Sequence, residues 1–341
     1  MKSLINFVLL FLISSAAATP IGVNYGRVAD NLPSAFRVSN LLKTVGVTRV
    51  KIYDTDATVL NAFGGTGISV IVCLPNDKLG LAAGSQTFTD NWIRANILPY
   101  RATWITAIAI GNEVFSDPAN LGFLVSAMEN MHASLVRLGL DSRIKVSSPV
   151  PLDVLQSSYP PSAGAFKSDV ALSVIAPMLG IMRRTGSYFM VNIYPFFAYS
   201  ANSRQISLDY ALGNPNAPHV VDPKTNLVYT NLFDAQVDAV YAAMAALGFG
   251  DVNIMVTETG WPSAGDPNEI GAGLNNAAAY DGNLARRVLA GSGTPMRPHT
   301  PLDVYLFALF NEDRKPGPTS ERNYGLFYPD MRRVFNIPLH G

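Results

Sequence analysis

Eight short β-branched, largely apolar runs recur along this chain, six of them closing on a polar or aromatic residue: Ile21–Asn24, Arg49–Tyr53, Ile68–Leu74, Ile105–Gly111, Ile144–Ser148, Tyr188–Tyr194, Val252–Glu258 and Asp303–Phe310. Between them lie stretches with helical spacing. Pro33–Thr44 sets Phe36, Val38, Leu41 and Leu42 on one broad stripe, and Asn120–Leu138 repeats Leu121, Leu124, Val125, Met128, Met131, Leu135 and Leu138 near the helical period. Phe233–Leu247 and Leu274–Leu289 do likewise, and Gly46, Gly139, Gly248 and Gly291 stand where helix stops belong. Strands this apolar, separated by helices, belong in a buried parallel sheet. Eight βα units in about 320 residues predict an α/β fold of one domain, a (β/α)8 barrel, over residues 19–341. A doubly wound sheet is the alternative. It favours a phosphate-binding glycine turn after an early strand, and neither Gly64-Gly65-Thr66-Gly67 nor Gly271-Ala272-Gly273 makes one. The stretch from Ser200 to Thr230 reads as a long polar excursion at the barrel mouth.

Composition removes several classes of function. The 341 residues carry 25 Lys+Arg against 25 Asp+Glu, with no basic run, so nucleic acid is a poor partner. A single cysteine excludes an intrachain disulfide framework and any multi-cysteine metal site. It lies inside the third apolar run and is expected to be an inert buried thiol. Met1–Ala18 reads as a signal peptide: Lys2, an apolar run from Leu4 to Ile13, and Ala16-Ala17-Ala18 as a small-residue cleavage site. That run is too short to span a bilayer. Phe335–Gly341 has no apolar tail of the kind a lipid anchor needs, so no membrane anchor is expected. The expectation is a secreted protein of the extracellular space or cell wall, with nothing that demands more than a monomer.

In a (β/α)8 barrel the active site forms at the C-terminal ends of the strands. Here the fourth run ends Gly111-Asn112-Glu113, the seventh Thr257-Glu258-Thr259-Gly260-Trp261-Pro262, and the eighth Phe310-Asn311-Glu312. The first, second and sixth end on Asn24-Tyr25-Gly26, Tyr53-Asp54 and Asn192-Ile193-Tyr194-Pro195. His132, His219, His299 and His340 all lie away from these ends, which weakens metal-hydrolase and histidine-based readings, and no metal or cofactor is expected. A Glu directly after an apolar strand is costly unless hydrogen-bonded or solvated. One such Glu could serve only to satisfy loop amides. Two from opposite sides of a barrel fit glycoside hydrolysis, where one carboxyl protonates the leaving oxygen and the other attacks or stabilises the sugar.

Four blocks carry a family likeness: Gly22-Val23-Asn24-Tyr25-Gly26, Gly111-Asn112-Glu113, Thr257-Glu258-Thr259-Gly260-Trp261-Pro262-Ser263, and Phe310-Asn311-Glu312 leading to Lys315-Pro316-Gly317-Pro318-Thr319-Ser320-Glu321-Arg322-Asn323-Tyr324-Gly325-Leu326. Together, and in this order, they resemble the plant β-1,3-glucanases of glycoside hydrolase family 17. The resemblance implies a barrel with an open substrate groove and retaining hydrolysis of internal β-1,3-glucosidic bonds in a polysaccharide such as callose or laminarin. By position it implies Glu113 as general acid/base, Glu258 as nucleophile and Asn112 as holder of the sugar 2-hydroxyl. It sets Glu312, Lys315 and Glu321 beside the catalytic pair, and Tyr25, Tyr53, Tyr194 and Phe197 as subsite aromatics. Lys315 is expected to favour the ionised nucleophile, and retention needs carboxyl groups about 5–5.5 Å apart. Asp313-Arg314 departs from a commoner Asn-Gln and would place a positive group near the groove.

Plainer readings stand beside these. Lys315 and Glu321 could be a surface pair, and Tyr194 and Phe197 core aromatics. Trp261 could pack over the seventh strand's end or touch sugar, while Trp92 and Trp104 read as core residues of a helical region. At the level of function, the same barrel could act on mixed-linkage 1,3-1,4-β-glucan, or bind wall glucan without catalysis.

Overall fold

The computed structural model describes residues 20–341; the expected signal peptide, residues 1–18, lies outside them. All eight apolar runs form strands: Gly22–Asn24, Arg49–Lys51, Ser69–Leu74, Trp104–Ile110, Lys145–Ser147, Phe189–Asn192, Ile254–Thr259 and Val304–Leu306. Their order in the sheet is 5-4-3-2-1-8-7-6, every pairing parallel. Ser148 and Pro149 interrupt the fifth strand. Before them Lys145–Ser147 pairs with the fourth strand, and after them Val150–Pro151 pairs with the sixth. Proline offers no N–H to a ladder, so a break suits this corner. The two ends of the sheet are therefore halves of one segment, and the sheet closes into a (β/α)8 barrel.

Alternate residues divide the interior in two. Ile71, Cys73, Ala107, Ala109, Met190, Met255 and Tyr305 point inward as one cluster that fills the barrel. Val50, Ile52, Val70, Val72, Ile108, Ile110, Val191 and Val256 point outward against the helices. The helices fall where the periodicity places them: Ala35–Thr44, Leu124–Arg137, Leu232–Ala246 and Leu274–Leu289. Asn231 caps the third of these, its Oδ1 accepting the Asp234 N–H at 2.8 Å.

Some expectations fail for local reasons. Phe36 leaves the expected stripe and is 61% exposed, while Val38 and Leu42 bury the helix face beside it. Trp104 is no helical core residue: it opens the fourth strand at the far end of the barrel from the carboxylates and is 60% exposed. Trp92 does sit in a helix, Gln86–Asn96, packed against the core. The Ser200–Thr230 excursion is ordered by a helix, Leu208–Leu212, and a hairpin pairing Val220–Val221 with Val228–Tyr229. Tyr229 is buried and donates to Asp238 in the following helix at 3.0 Å, an anchor that the polarity of the stretch conceals. Trp261 belongs to the core, stacked among Phe196, Tyr199 and Tyr280, with its Nε1–H donating to the Gly271 carbonyl. Cys73 is buried, and burial pushes its thiol up to about 12.

Candidate active site

The turn after the fourth strand is built around backbone that glycine alone adopts easily. Gly111 has φ +68°, and a Cβ there would strike Val114 and come within 2.7 Å of Asn76 Oδ1. The Asn76 carboxamide holds the backbone of the next residue at both ends: Oδ1 accepts the Asn112 N–H at 2.8 Å and Nδ2 donates to the Asn112 carbonyl at 3.2 Å. Glu113 follows with φ +49°, and its N–H donates to the Pro149 carbonyl at 3.0 Å. A non-glycine residue held left-handed costs on the order of 1–3 kcal/mol and persists only where its surroundings over-determine it. Here those surroundings aim the carboxyl into the barrel mouth.

A bulge performs the same service on the seventh strand. Val256 and Glu258 align with Val191 and Asn192 of the sixth, so Thr257 is an extra residue. Strict alternation after the inward Met255 would turn Thr257 in and Glu258 out. With the bulge both reach inward groups: the Thr257 hydroxyl donates to Asn192 Oδ1 at 2.9 Å, and Glu258 Oε1 accepts Lys51 Nζ at 2.6 Å.

The two glutamates are tied together by reciprocal bridges. Lys51 Nζ binds Glu258 and also Asn112 Oδ1, at 2.9 Å, next door to Glu113. Asn192 Nδ2 donates to Glu113 Oε1 at 2.9 Å, while its Oδ1 takes the hydroxyl of Thr257, next door to Glu258. Tyr194 adds a 3.0 Å hydrogen bond to Glu258 Oε2. Each carboxylate is thus held by a side chain that also holds the neighbour of the other.

The environments push the pair apart. Burial and the charge of Glu258 raise the Glu113 carboxyl above the ordinary glutamate value, against the hydrogen bond from Asn192. Burial alone would raise Glu258 as well. The ammonium of Lys51, by charge and hydrogen bond, outweighs that and holds Glu258 below the ordinary value, with Lys315 a smaller contributor. The expected role of Lys315 therefore falls mainly to Lys51. One group favours the acid and its partner the anion, the division that acid-assisted nucleophilic displacement needs.

All ten residues singled out from sequence line a single open cleft of about 1060 Å³: Tyr25, Tyr53, Asn112, Glu113, Tyr194, Phe197, Glu258, Glu312, Lys315 and Glu321. They do not contribute alike. Tyr25 is 3% exposed and packs edge-on against Phe63 and Phe310, whereas Phe197 is 48% exposed, tilted against Tyr194 at 5.5 Å. Tyr53 lies with its ring 4.3 Å from the Lys51 ammonium. Glu312 is buried, raised by that burial, and accepts the Val28 N–H at 2.8 Å. Lys315 sits 3.4 Å from Glu321 and 4.2 Å from the Phe307 ring centre. Arg314 does not line the cleft; its guanidinium pairs with Asp30 on the surface. No group of three or more His, Cys, Asp or Glu among the described residues is placed to hold a metal ion.

Lys51, Asn192 and Asn76 complete the site; from sequence, Asn192 stands at the sixth strand's end without a role, and Lys51 and Asn76 carry no assignment. Lys51 left the clearest trace, a charge between Val50 and Ile52 in an apolar strand, where alternation turns it into the barrel.

The chain matches the family described as Glycosyl hydrolases family 17 over residues 21–339. It is 44% identical to glucan endo-1,3-beta-glucosidase 14 of Arabidopsis thaliana over 94% of this chain and 82% of that one. It is 45% identical to glucan endo-1,3-beta-glucosidase 11 of the same plant, over 96% and 79%. Among solved structures it resembles CJP38, a beta-1,3-glucanase and pollen allergen of Cryptomeria japonica, with TM-score 0.90 and 43% identity over 94% of this chain and 99% of that one. It also resembles one of two plant beta-glucan endohydrolases with distinct substrate specificities, with TM-score 0.87 and 39% identity over 93% and 100%.

Proposed function

Because the chain belongs to glycosyl hydrolase family 17, we propose that Glu113 and Glu258 carry out its reaction by double displacement. The activity is endo-hydrolysis of internal 1,3-β-D-glucosidic linkages in 1,3-β-glucans. Glu258 attacks the anomeric carbon as Glu113 protonates the departing oxygen; water then resolves the glycosyl-enzyme with Glu113 as base, so the anomeric configuration is retained. Asn112, fixed by Asn76 and Lys51, receives the 2-hydroxyl of the attacked sugar. The observation that carries this reading is geometric: two carboxyls share one cleft, Glu258 held at 2.6 Å by the Lys51 ammonium and Glu113 at 2.9 Å by the neutral Asn192 amide, which favours the anion at one and the acid at the other.

The mixed-linkage and non-catalytic readings are not favoured. The relatives that cover nearly all of the chain are named for 1,3-β-glucans, and both carboxylates are present and oriented. Export out of the cell is supported by the pattern of Met1–Ala18. No helix among the described residues is long and apolar enough to cross a membrane.

The test is kinetic. Glu258→Gln should lower turnover of laminarin by roughly 10⁴- to 10⁶-fold, the range measured for removing one member of a catalytic set, while calorimetry still detects oligosaccharide binding. Substantial activity in that variant refutes the assignment.

A further inference from the structure

Two stretches of the family blocks take no part in the chemistry described above: Ser263, past the seventh strand, and most of residues 317–325, past the eighth. In the structure they are knitted into one unit. The Ser263 N–H and hydroxyl both donate to the Asn323 carbonyl, at 2.8 and 2.9 Å, and Asn323 Nδ2 donates to the Thr319 carbonyl at 2.8 Å. The Asn311 carboxamide takes the Gly325 N–H at 2.8 Å, where a Cβ would lie 2.1 Å from the Asn311 nitrogen.

This unit holds Lys315 at both ends. Arg322 Nη1 donates to the Lys315 and Gly317 carbonyls, each at 3.0 Å. Glu321 Oε2 stands 3.4 Å from the Lys315 ammonium, which rests over the Phe307 ring in the cleft. Glu321 and Arg322 close a short 3₁₀ turn, Thr319–Arg322. The opening of that turn is gripped from the loop after the seventh strand. Asp266 accepts the Thr319 N–H at 3.0 Å and the Thr319 hydroxyl at 2.5 Å. Glu269 accepts the Ser320 N–H at 3.0 Å, the Ser320 hydroxyl, and the Asp266 N–H at 2.8 Å. Hydrogen bonds to an ionised acceptor are the strong kind. Ser320 is fully buried, so losing Glu269 would leave its donors without a partner. Neither Asp266 nor Glu269 lines the cleft, so neither is placed to touch sugar.

We propose that Asp266 and Glu269 are positioning residues: by fixing the turn Thr319–Arg322 they keep the Lys315 ammonium at its place in the cleft. The loop that follows the nucleophile's strand thereby sets the cation supplied after the eighth strand. This inference rests on the reading of Glu258 as nucleophile, whose anion Lys315 favours.

The experiment is a double-mutant cycle on laminarin, with wild type, Glu269→Ala, Lys315→Met and the double variant assayed well below their melting temperatures. Glu269→Ala should lower kcat/KM about 3- to 30-fold, the scale of coupling within one hydrogen-bonded network. In the Lys315→Met background the same change should cost less than about 2-fold, because the group it positions is gone. Glu269→Gln keeps an acceptor for Ser320 and should recover most of the loss. Equal losses in both backgrounds overturn the proposal, since Glu269 would then serve only the fold, and so does an unchanged kcat/KM in Glu269→Ala. Should Glu269→Ala not fold, Asp266→Asn carries the same cycle under the same criteria. Failure of the nucleophile assignment shows separately, as full activity in Glu258→Gln.

Discussion

Lys51 is the residue on which the division of labour at the site turns. A buried carboxylate without a cation takes up a proton, and two in one cleft repel each other. The 2.6 Å contact from Lys51 keeps Glu258 ionised in a place where burial would neutralise it. The sign of its removal follows. Without Lys51 the Glu258 titration rises, so the acidic limb of kcat/KM against pH moves to higher pH in Lys51→Met. The basic limb, set by the raised Glu113, should stay closer to its place. A pH–rate profile of the purified variant reads both limbs; an unmoved acidic limb would mean that Lys51 does not govern the nucleophile. That Glu113 and Glu258 would meet in one cleft was legible in the sequence because both end strands of a barrel at its C-terminal face. The control by Lys51 was only half legible. Its isolation in an apolar strand was visible, but its partner lies 207 residues away, and only closure of the barrel brings the second and seventh strands to one cation.

At the scale of elements, two backbone irregularities aim the carboxyls. The eight strands could be read from β-branched runs because burial on both faces demands such residues. The bulge at Thr257 and the left-handed turn at Gly111–Glu113 could not, since neither depends on hydrophobic pattern. The hairpin within Ser200–Thr230 escaped for a related reason: Asp222 is anchored to Ser162, 60 residues away, and Tyr229 to Asp238 in the following helix, and neither contact leaves a hydrophobic pattern in a polar stretch. Gly111→Ala tests the turn. Strain at positive φ, and a Cβ pressed on Val114 and Asn76, should cost about 1–3 kcal/mol of stability by denaturant unfolding. Activity should fall further than stability accounts for, because Asn112 and Glu113 ride on that turn. A variant with wild-type kcat would show that the turn does not set their aim.

For the whole molecule, the balance of buried charge predicts how stability responds to pH. Asp281 lies in the helix Leu274–Leu289, fully buried, with neither carboxyl oxygen hydrogen-bonded among the described residues. Burial holds it well above the ordinary aspartate value, so the folded state keeps a proton that the unfolded chain releases. Stability contributed this way falls as pH rises past the unfolded value, by at most about 1.4 kcal/mol per pH unit. Glu258 works in the opposite sense, its folded value being lowered: its contribution is present at neutral pH and is lost on acidification. Asp281→Asn removes the first term alone. Its Tm should therefore decline less than that of wild type between pH 5 and 7, a comparison that differential scanning calorimetry makes directly; parallel curves would contradict a protonated Asp281.

The measurement closest to the centre of this account is covalent trapping. A β-1,3-linked disaccharide fluoride with fluorine at C2 of the reacting sugar should stall the enzyme after its first displacement. Peptide mapping by mass spectrometry should then find one sugar adduct, on the peptide that contains Glu258. An adduct on Glu113 or Glu312, or rapid turnover with inversion and no adduct, would contradict the mechanism.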